Sequence, residues 1–372
     1  MPFCPFIHNN IEVKTDGSFT PCCISSKRFN VNGKQAHATT ETIKQVYDSP
    51  DRAEWIANFD QHFESDCSQC AQVERAGGES KRLREIERWK HFEKGKLQSL
   101  DLKLGNTCNL ACAICGSHSS SKWRSIDKQF QREAAPLQDW QRRPQFWDQL
   151  AEVSQDVRRV ELSGGEPFMI KEQKRLLKFL VDEGLAPQIE ITWFTNCTQY
   201  PEDIVQYFEH FEHAGVMLSL DNTGPQFEFQ RWPARWDETY DVFKKLIALR
   251  DKDTLHVGIS HSISGMNVYH LPAFHRWARD HEVNVFNNIV MSPLNMQDLP
   301  YSFKQKVIEQ FEGHDDPSFQ TNPALGPNNW VTQFMMTPGD PERFRRQLVY
   351  PKQTRPGLFE RAFPELLEHL ND

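Results

Sequence analysis

The stretch LDLKLGNTCNLACAIC, residues 100–115, runs from a short β-like segment straight into three cysteines within eight residues. A strand followed by such a loop places Cys108, Cys112 and Cys115 at the carboxyl end of the strand, where open β/α sheets bind ligands. Three thiolates are one ligand short of a closed tetrahedral site. The spacing Cys-x3-Cys-x2-Cys suits a loop wrapped around a cluster better than zinc, whose cysteines usually come in pairs. Three thiolates hold three irons of a cubane and leave the fourth open to another ligand. The competing reading is a zinc site completed by His118, although its closeness in sequence makes that geometry awkward.

Working outward, five further strand candidates follow this first one: VRRVELS (157–163), IEITWFT (189–195), VMLSLD (216–221), HVGISHSI (256–263) and VNVFNNIV (283–290). Helical patterns lie between them at 171–184, 201–215 and 236–251. Six β-then-α units in a row imply a parallel sheet with crossover helices, either an open doubly wound sheet or a curved partial barrel. Four unusual peptides then share one rim: the cysteine loop, SGGEPF (163–168), TNCT (195–198) and SLDN (219–222). Gly164, Gly165 and Pro167 suit a loop that lets backbone approach a ligand. For Asn196, Ser219 and Asp221 the plain alternative is strand-end capping. Asn287, Asn288 and Asn295, in the stretch that ends the sixth strand, are candidates for the substrate end, with packing and loop capping as the alternative. The histidine-bearing segments HSISGMNVYH and HRWARDH read as helix and strand surface.

The first hundred residues differ in character. IEVKTDGSFTPCC reads as a hairpin turning at Asp16-Gly17, and Cys67-x2-Cys70 stands before a polar helical segment. Cys4, Cys22, Cys67 and Cys70 form a second constellation able to close around zinc or an iron–sulfur cluster, with Cys23 a substitute for Cys22. Cys197 reads as a buried thiol. The tail from about residue 303 is proline-rich and ends in a helix, LFERAFPELLEHLND. Boundaries are expected at 1–96, 97–302 and 303–372.

Composition limits the alternatives. With 372 residues, 38% hydrophobic and 25% charged, the chain has ample material for a core. A net charge of −8 without a basic stripe argues against duplex nucleic acid as a partner. No segment approaches the ~18 apolar residues of a membrane span, and the start lacks signal-peptide features. A cytoplasmic location is therefore expected, where nine clustered cysteines indicate metal rather than disulfides.

CNLACAIC followed by GGEP roughly fifty residues later closely resembles the radical S-adenosylmethionine (SAM) enzymes. The resemblance implies a partial (β/α)6 TIM-like barrel, with a small N-terminal hairpin/helix domain and a helical C-terminal tail. It implies that Cys108, Cys112 and Cys115 hold a 4Fe-4S cluster whose open iron chelates SAM. Reductive cleavage would yield a 5′-deoxyadenosyl radical that abstracts a hydrogen atom from substrate. Glu166, with Gly164, Gly165 and Pro167, would face the methionyl ammonium. Ser219 and Asp221 would face the carboxylate and ribose, with Asn196 on the same rim. Ile114 takes a position, often aromatic in the family, near adenine.

The pattern Cys…Gly-x4-Cys…Cys-x2-Cys resembles the Twitch domain, a relative of SPASM, and implies an auxiliary 4Fe-4S cluster on Cys4, Cys22, Cys67 and Cys70. Such elements usually follow the barrel, whereas here they precede it. The implied partners are a reductant such as flavodoxin or ferredoxin and, by slight preference, a peptide or protein substrate. A small molecule or nucleotide is the alternative, and a non-catalytic zinc- or cluster-binding scaffold is the competing class.

Overall fold

The structure is a computed structural model that describes residues 3–136, 139–250, 255–312 and 329–370. Its strands, in chain order, are β1 (Asn10–Val13), β2 (Phe19–Thr20), β3 (Asn30–Val31), β4 (Lys34–Gln35), β5 (Ser99–Leu102), β6 (Arg159–Leu162), β7 (Glu190–Thr195), β8 (His213–Leu218), β9 (Leu255–Ile263) and β10 (Val285–Ile289). One sheet has the order β10-β9-β8-β7-β6-β5-β1-β2, and every neighbouring pair from β5 to β10 is parallel. The two ends of that order do not pair, so the six β/α strands form a partial barrel.

Side-chain alternation explains how the barrel acquires a polar interior. Val160 and Leu162 of β6, Ile191 and Trp193 of β7, and Val216 and Leu218 of β8 are at most 1% exposed and pack outward. Leu176, Leu177 and Leu180 of the helix Lys171–Asp182, and Phe243 and Leu246 of the helix Trp236–Ala248, complete that layer. Burial of each large apolar side chain stabilises the layer by about 1.5–3 kcal/mol. The intervening residues, Glu161, Thr192 and Gly215 among them, line the lumen.

The expected fold class holds, with differences in detail. The front hairpin is not a separate sheet: β1 pairs antiparallel with β2 and parallel with β5, with Ile11 opposite Leu100, and so extends the barrel sheet. The helix expected over 201–215 is instead a short helix, Glu202–Val205, and a 3-10 turn, Phe208–His210; β8 already begins at His213. Phe208 and Phe211 pack against Trp193, and that anchoring overrides the helical pattern. The C-terminal helix is two pieces, Leu358–Ala362 and Pro364–Leu367, because Pro364 cannot continue the first. Of the two histidine-bearing segments, HRWARDH lies on a helix surface as expected, whereas HSISGMNVYH is core: His261 is fully buried and bonded to Asn267, and Met266 and Val268 are buried. The proline-rich stretch 313–328 lies outside the described residues.

The tail packs behind the cysteine loop. Phe344, Leu348, Phe359 and Phe363 share a core with Phe229 and Ala113, and Ile114 packs against it. Among the described residues no helix is long and apolar enough to cross a membrane.

Candidate iron–sulfur and cofactor site

The cysteine loop is held by the chain itself. Ala111 N donates to the Trp232 carbonyl and Ala113 N to that of Gln230, both at 2.7 Å. Trp123 Nε1 donates to the Cys112 carbonyl at 2.8 Å, and Ser121 Oγ both donates to the Cys108 carbonyl and accepts from Cys108 N. Ser120, which caps the helix Ser121–Gln129, also donates to the Leu110 carbonyl. Cys108, Cys112 and Cys115 thus belong to a rigid turn.

The four rim peptides meet there. Glu166 N donates to the Thr107 carbonyl at 2.7 Å. The Glu166 carboxylate, 1% exposed, accepts from Phe168 N, from Thr195 Oγ1 at 2.7 Å and from Asn196 N at 2.6 Å. Burial outweighs those donors and pushes the Glu166 carboxyl up to about 7. Asn196 Nδ2 donates to Asn109 Oδ1 at 2.9 Å and lies 3.9 Å from Cys108 Sγ. Gly165 has φ +53, and a Cβ there would stand 2.3 Å from the Thr107 carbonyl oxygen. The close approach that this glycine permits is therefore to the cysteine loop itself. Pro167 opens the short turn Pro167–Met169, and Gly164 sits against Lys103 and Thr15. Ser219 N donates to the Thr195 carbonyl at 2.7 Å.

Asp221 has a partner that the sequence did not announce. Its carboxylate, 1% exposed, accepts from Arg231 Nε at 2.9 Å and Nη2 at 2.7 Å, and from Ser262 N at 3.0 Å. Arg231 Nη1 lies 4.0 Å from Cys112 Sγ. A second guanidinium, Arg355 of the tail, donates to the Ala111 carbonyl at 2.9 Å; burial pushes the Cys112 thiol up, and Arg231 and then Arg355 offset part of that rise. Two buried cations therefore face the cysteine loop, and nothing in the local sequence around either one signals it.

The donor chemistry fits iron–sulfur clusters at both places. Burial first, and the neighbouring Cys112 thiol next, push Cys108 and Cys115 up to about 12. At the front, Cys4 feels Cys70, Cys22 feels Cys23 and then Cys4 and Cys67, and Cys67 feels Cys4 and Cys70. Crowded buried thiols resist ionising alone, and a cationic cluster supplies the compensating charge. Among the described residues, no three His, Cys, Asp or Glu side chains converge tightly enough for a single metal ion. Lys81 Nζ donates to the sulfur of Cys23 at 3.1 Å. Cys197 is fully buried.

A cavity of about 770 Å³ fills the lumen. Cys23, Ile24 and Gln69, neighbours of the front cysteines, line one part, and Ser163 and Ser262, neighbours of the rim peptides, line another. The helix Lys81–Arg88 covers the open side with Lys81, Arg84, Glu85 and Arg88 directed inward. The i, i+3, i+4, i+7 spacing is legible as one charged helix face, but sequence reasoning assigns such a face to solvent. Asn288 lines the cavity, whereas Asn295 is buried as a cap of the turn Met296–Asp298.

Asp101, 4% exposed in the lumen wall, has its carboxyl raised to about 7 by burial and then by the Glu12 carboxylate. The folded chain keeps this proton where the unfolded chain has lost it. Stability therefore falls as pH rises from the ordinary carboxylate range to about 7. Asp101→Asn removes that dependence. The variant apoprotein should melt close to wild type below about pH 4 and gain on it steadily above that, reaching about 4 kcal/mol near pH 7, read from thermal melts.

Family models match in the same arrangement. Residues 102–268 match the radical SAM superfamily, and residues 4–71 match the SPASM iron–sulfur cluster-binding domain. The chain thus carries a radical SAM domain, with a SPASM-type domain ahead of it, and its cofactors are SAM, a 4Fe-4S cluster and auxiliary iron–sulfur chemistry. No curated protein matches the chain. Among solved structures it is similar to anSMEcpe with bound AdoMet, at 15% identity, TM-score 0.41, over 59% of this chain and 58% of that one. It is also similar to Streptococcus suis SuiB bound to S-adenosylmethionine, at 15% identity, TM-score 0.40, over 72% of this chain and 55% of that one. The chain spans between half and two thirds of the length of these proteins.

Proposed function

We propose that this chain binds SAM on a 4Fe-4S cluster held by Cys108, Cys112 and Cys115. An auxiliary cluster on Cys4, Cys22, Cys67 and Cys70 flanks the substrate. The observation that carries the reading is a lumen cavity lined by Cys23, Ile24 and Gln69, beside the front cysteines, and by Ser163 and Ser262, beside the GGEP loop and Asp221. Bound and reduced, the cofactor would supply a carbon radical able to take a hydrogen atom from an unactivated C–H bond. The residues of the chain do the rest. Glu166 ties the GGEP loop to the TN turn, Asn196 bridges that turn to the cysteine loop, and Arg231 with Asp221 sets the charge beside Cys112. Gly164, Gly165, Glu166, Pro167, Asn196, Ser219, Asp221 and Ile114 are the proposed cofactor contacts.

A peptide or protein side chain is the favoured substrate, in keeping with the SPASM-type domain, and dehydrogenation or rearrangement of a small molecule or nucleotide is the alternative. The cavity size is within the range that encloses a ligand of a few hundred daltons, and its wall mixes both charge signs with Phe194 and Met217. A second cavity of about 580 Å³ reaches Cys115 from outside between the loop and the tail, lined by Arg132, Arg343 and Arg346 together with Asp127 and Glu133. We assign it to approach of a flavodoxin or ferredoxin.

Anaerobic reconstitution tests the reading. About eight irons per chain and formation of methionine with 5′-deoxyadenosine on reduction are expected. Stoichiometric zinc without SAM cleavage would favour the non-catalytic scaffold instead.

A further inference from the structure

The lumen cavity is walled by four Lys and Arg side chains, Lys81, Arg84, Arg88 and Arg159, and three of them are matched by carboxylates. Lys81 is held by Glu161 at 3.5 Å, Arg88 pairs with Glu190, and Arg159 reaches Glu85 at 2.5 Å and Glu161 at 2.6 Å. Arg84, half-buried, pairs with no carboxylate among the described residues. Its Nη1 donates to the carbonyls of Glu79 at 3.1 Å and Asn287 at 3.5 Å, and its Nη2 to Asn288 Oδ1 at 3.3 Å. Its Nε has no partner among those residues, so the edge carrying Nε and the second Nη2 hydrogen stays open.

Two neutral donors stand beside it. Asn288 Nδ2 donates to Ser260 Oγ at 3.3 Å, and among the described residues nothing accepts the Ser260 hydroxyl. Arg84, Asn288 and Ser260 come from the helix Lys81–Arg88, from β10 and from β9, and all three line the cavity. Ser260 and Ser262 share one face of β9, about 7 Å apart, and Ser262 N is bound to Asp221 of the rim. The three donors therefore lie one strand step deeper than the rim peptides.

The geometry points to a carboxylate-bearing substrate whose acid group is held by Arg84, Ser260 and Asn288, an inference that rests on the function proposed above and names its substrate class. A guanidinium edge pairs with a carboxylate through two parallel hydrogen bonds. One unmatched cation calls for a monoanion: a phosphate dianion would leave a charge uncompensated in a wall whose other guanidinium and ammonium groups are already paired. The carboxylate anchors the substrate below the rim, with the C–H bond to be broken directed back toward the cysteine loop. An amide in place of the acid would leave Arg84 unmatched and be rejected.

The test uses the reconstituted holoenzyme with SAM bound, so that the cofactor's own carboxylate is already placed. Three acids are each compared with their amide by isothermal titration calorimetry: acetyl-Ala-Glu-Ala-amide with its Gln analogue, acetyl-Ala-Ala-Ala with its C-terminal amide, and butyrate with butyramide. In at least one pair the acid is expected to bind about 10- to 100-fold tighter, and that pair identifies an acidic side chain, a chain terminus or a free acid as the source. Arg84→Gln should bring the ratio to about one, and Arg84→Lys should leave it intermediate. Ser260→Ala, which keeps the guanidinium, should lower the ratio severalfold. No acid preferred over its amide, or a preference that survives Arg84→Gln, overturns the proposal, and so does inorganic phosphate binding more tightly than all three acids. Phenylglyoxal labelling gives a second readout: Arg84 should be modified in the holoenzyme and protected by the preferred acid, while Arg159, 3% exposed, stays unmodified. Labelling of Arg84 unaffected by that acid would overturn the assignment. SAM cleavage on reduction is read without any probe, and its absence overturns the underlying function, whereas the binding ratios stand or fall on Arg84.

Discussion

Replacing Cys108, Cys112 and Cys115 together by alanine is expected to abolish SAM cleavage while about four of about eight irons remain bound per chain. The front set is built from other elements: the start of the chain, the end of the hairpin, and the entry to the helix Ser68–Arg75. The loop that carries the three cysteines is positioned by backbone bonds to Gln230 and Trp232 and by Trp123, none of which uses a thiol. The triple variant should therefore fold with the front cluster in place. Iron analysis and a cleavage assay read the two expectations separately, and residual cleavage would place the open iron elsewhere.

Arg231→Gln is expected to have the second largest effect, and through electrostatics rather than ligation. Asp221 and Arg231 are 1% and 9% exposed in their side chains, and breaking a buried pair from one side leaves an uncompensated charge. Such losses run to about 3–5 kcal/mol. Ser262 N would be the remaining donor to the carboxylate. The same change removes a cation 4.0 Å from the Cys112 sulfur, so the cluster beside it should become harder to reduce. Thermal melts of the apoprotein test the first consequence, and a redox titration of the reconstituted protein tests the second. Arg231→Lys, which keeps the charge but not the two-point pairing, should fall between wild type and Gln on both.

The radical SAM domain was legible because its pattern is local: the Cys-x3-Cys-x2-Cys loop lies within eight residues, with GGEP some fifty residues on. Strand positions were legible for the same reason, since alternation with period two is a local property. The segment 201–215 was misread because its apolar residues fit a helical period while Phe208 and Phe211 answer to Trp193 on another element. His261 was read as surface because nothing beside it in sequence discloses Asn267 and Phe274 around it.

What the sequence by itself determined is the inventory: two cysteine sets, the GGEP loop, six β/α units and the superfamily they define. Only the tertiary structure decided how the inventory is joined, because pairing across the chain depends on distance in space. Parallel pairing of β1 with β5 brings the front domain onto the barrel sheet. The charged face of the helix Lys81–Arg88 then lines the lumen, and Lys81 reaches the sulfur of Cys23. Two adjacent cysteines look alike in a sequence, and only the packing shows that Lys81 bonds to the sulfur of Cys23.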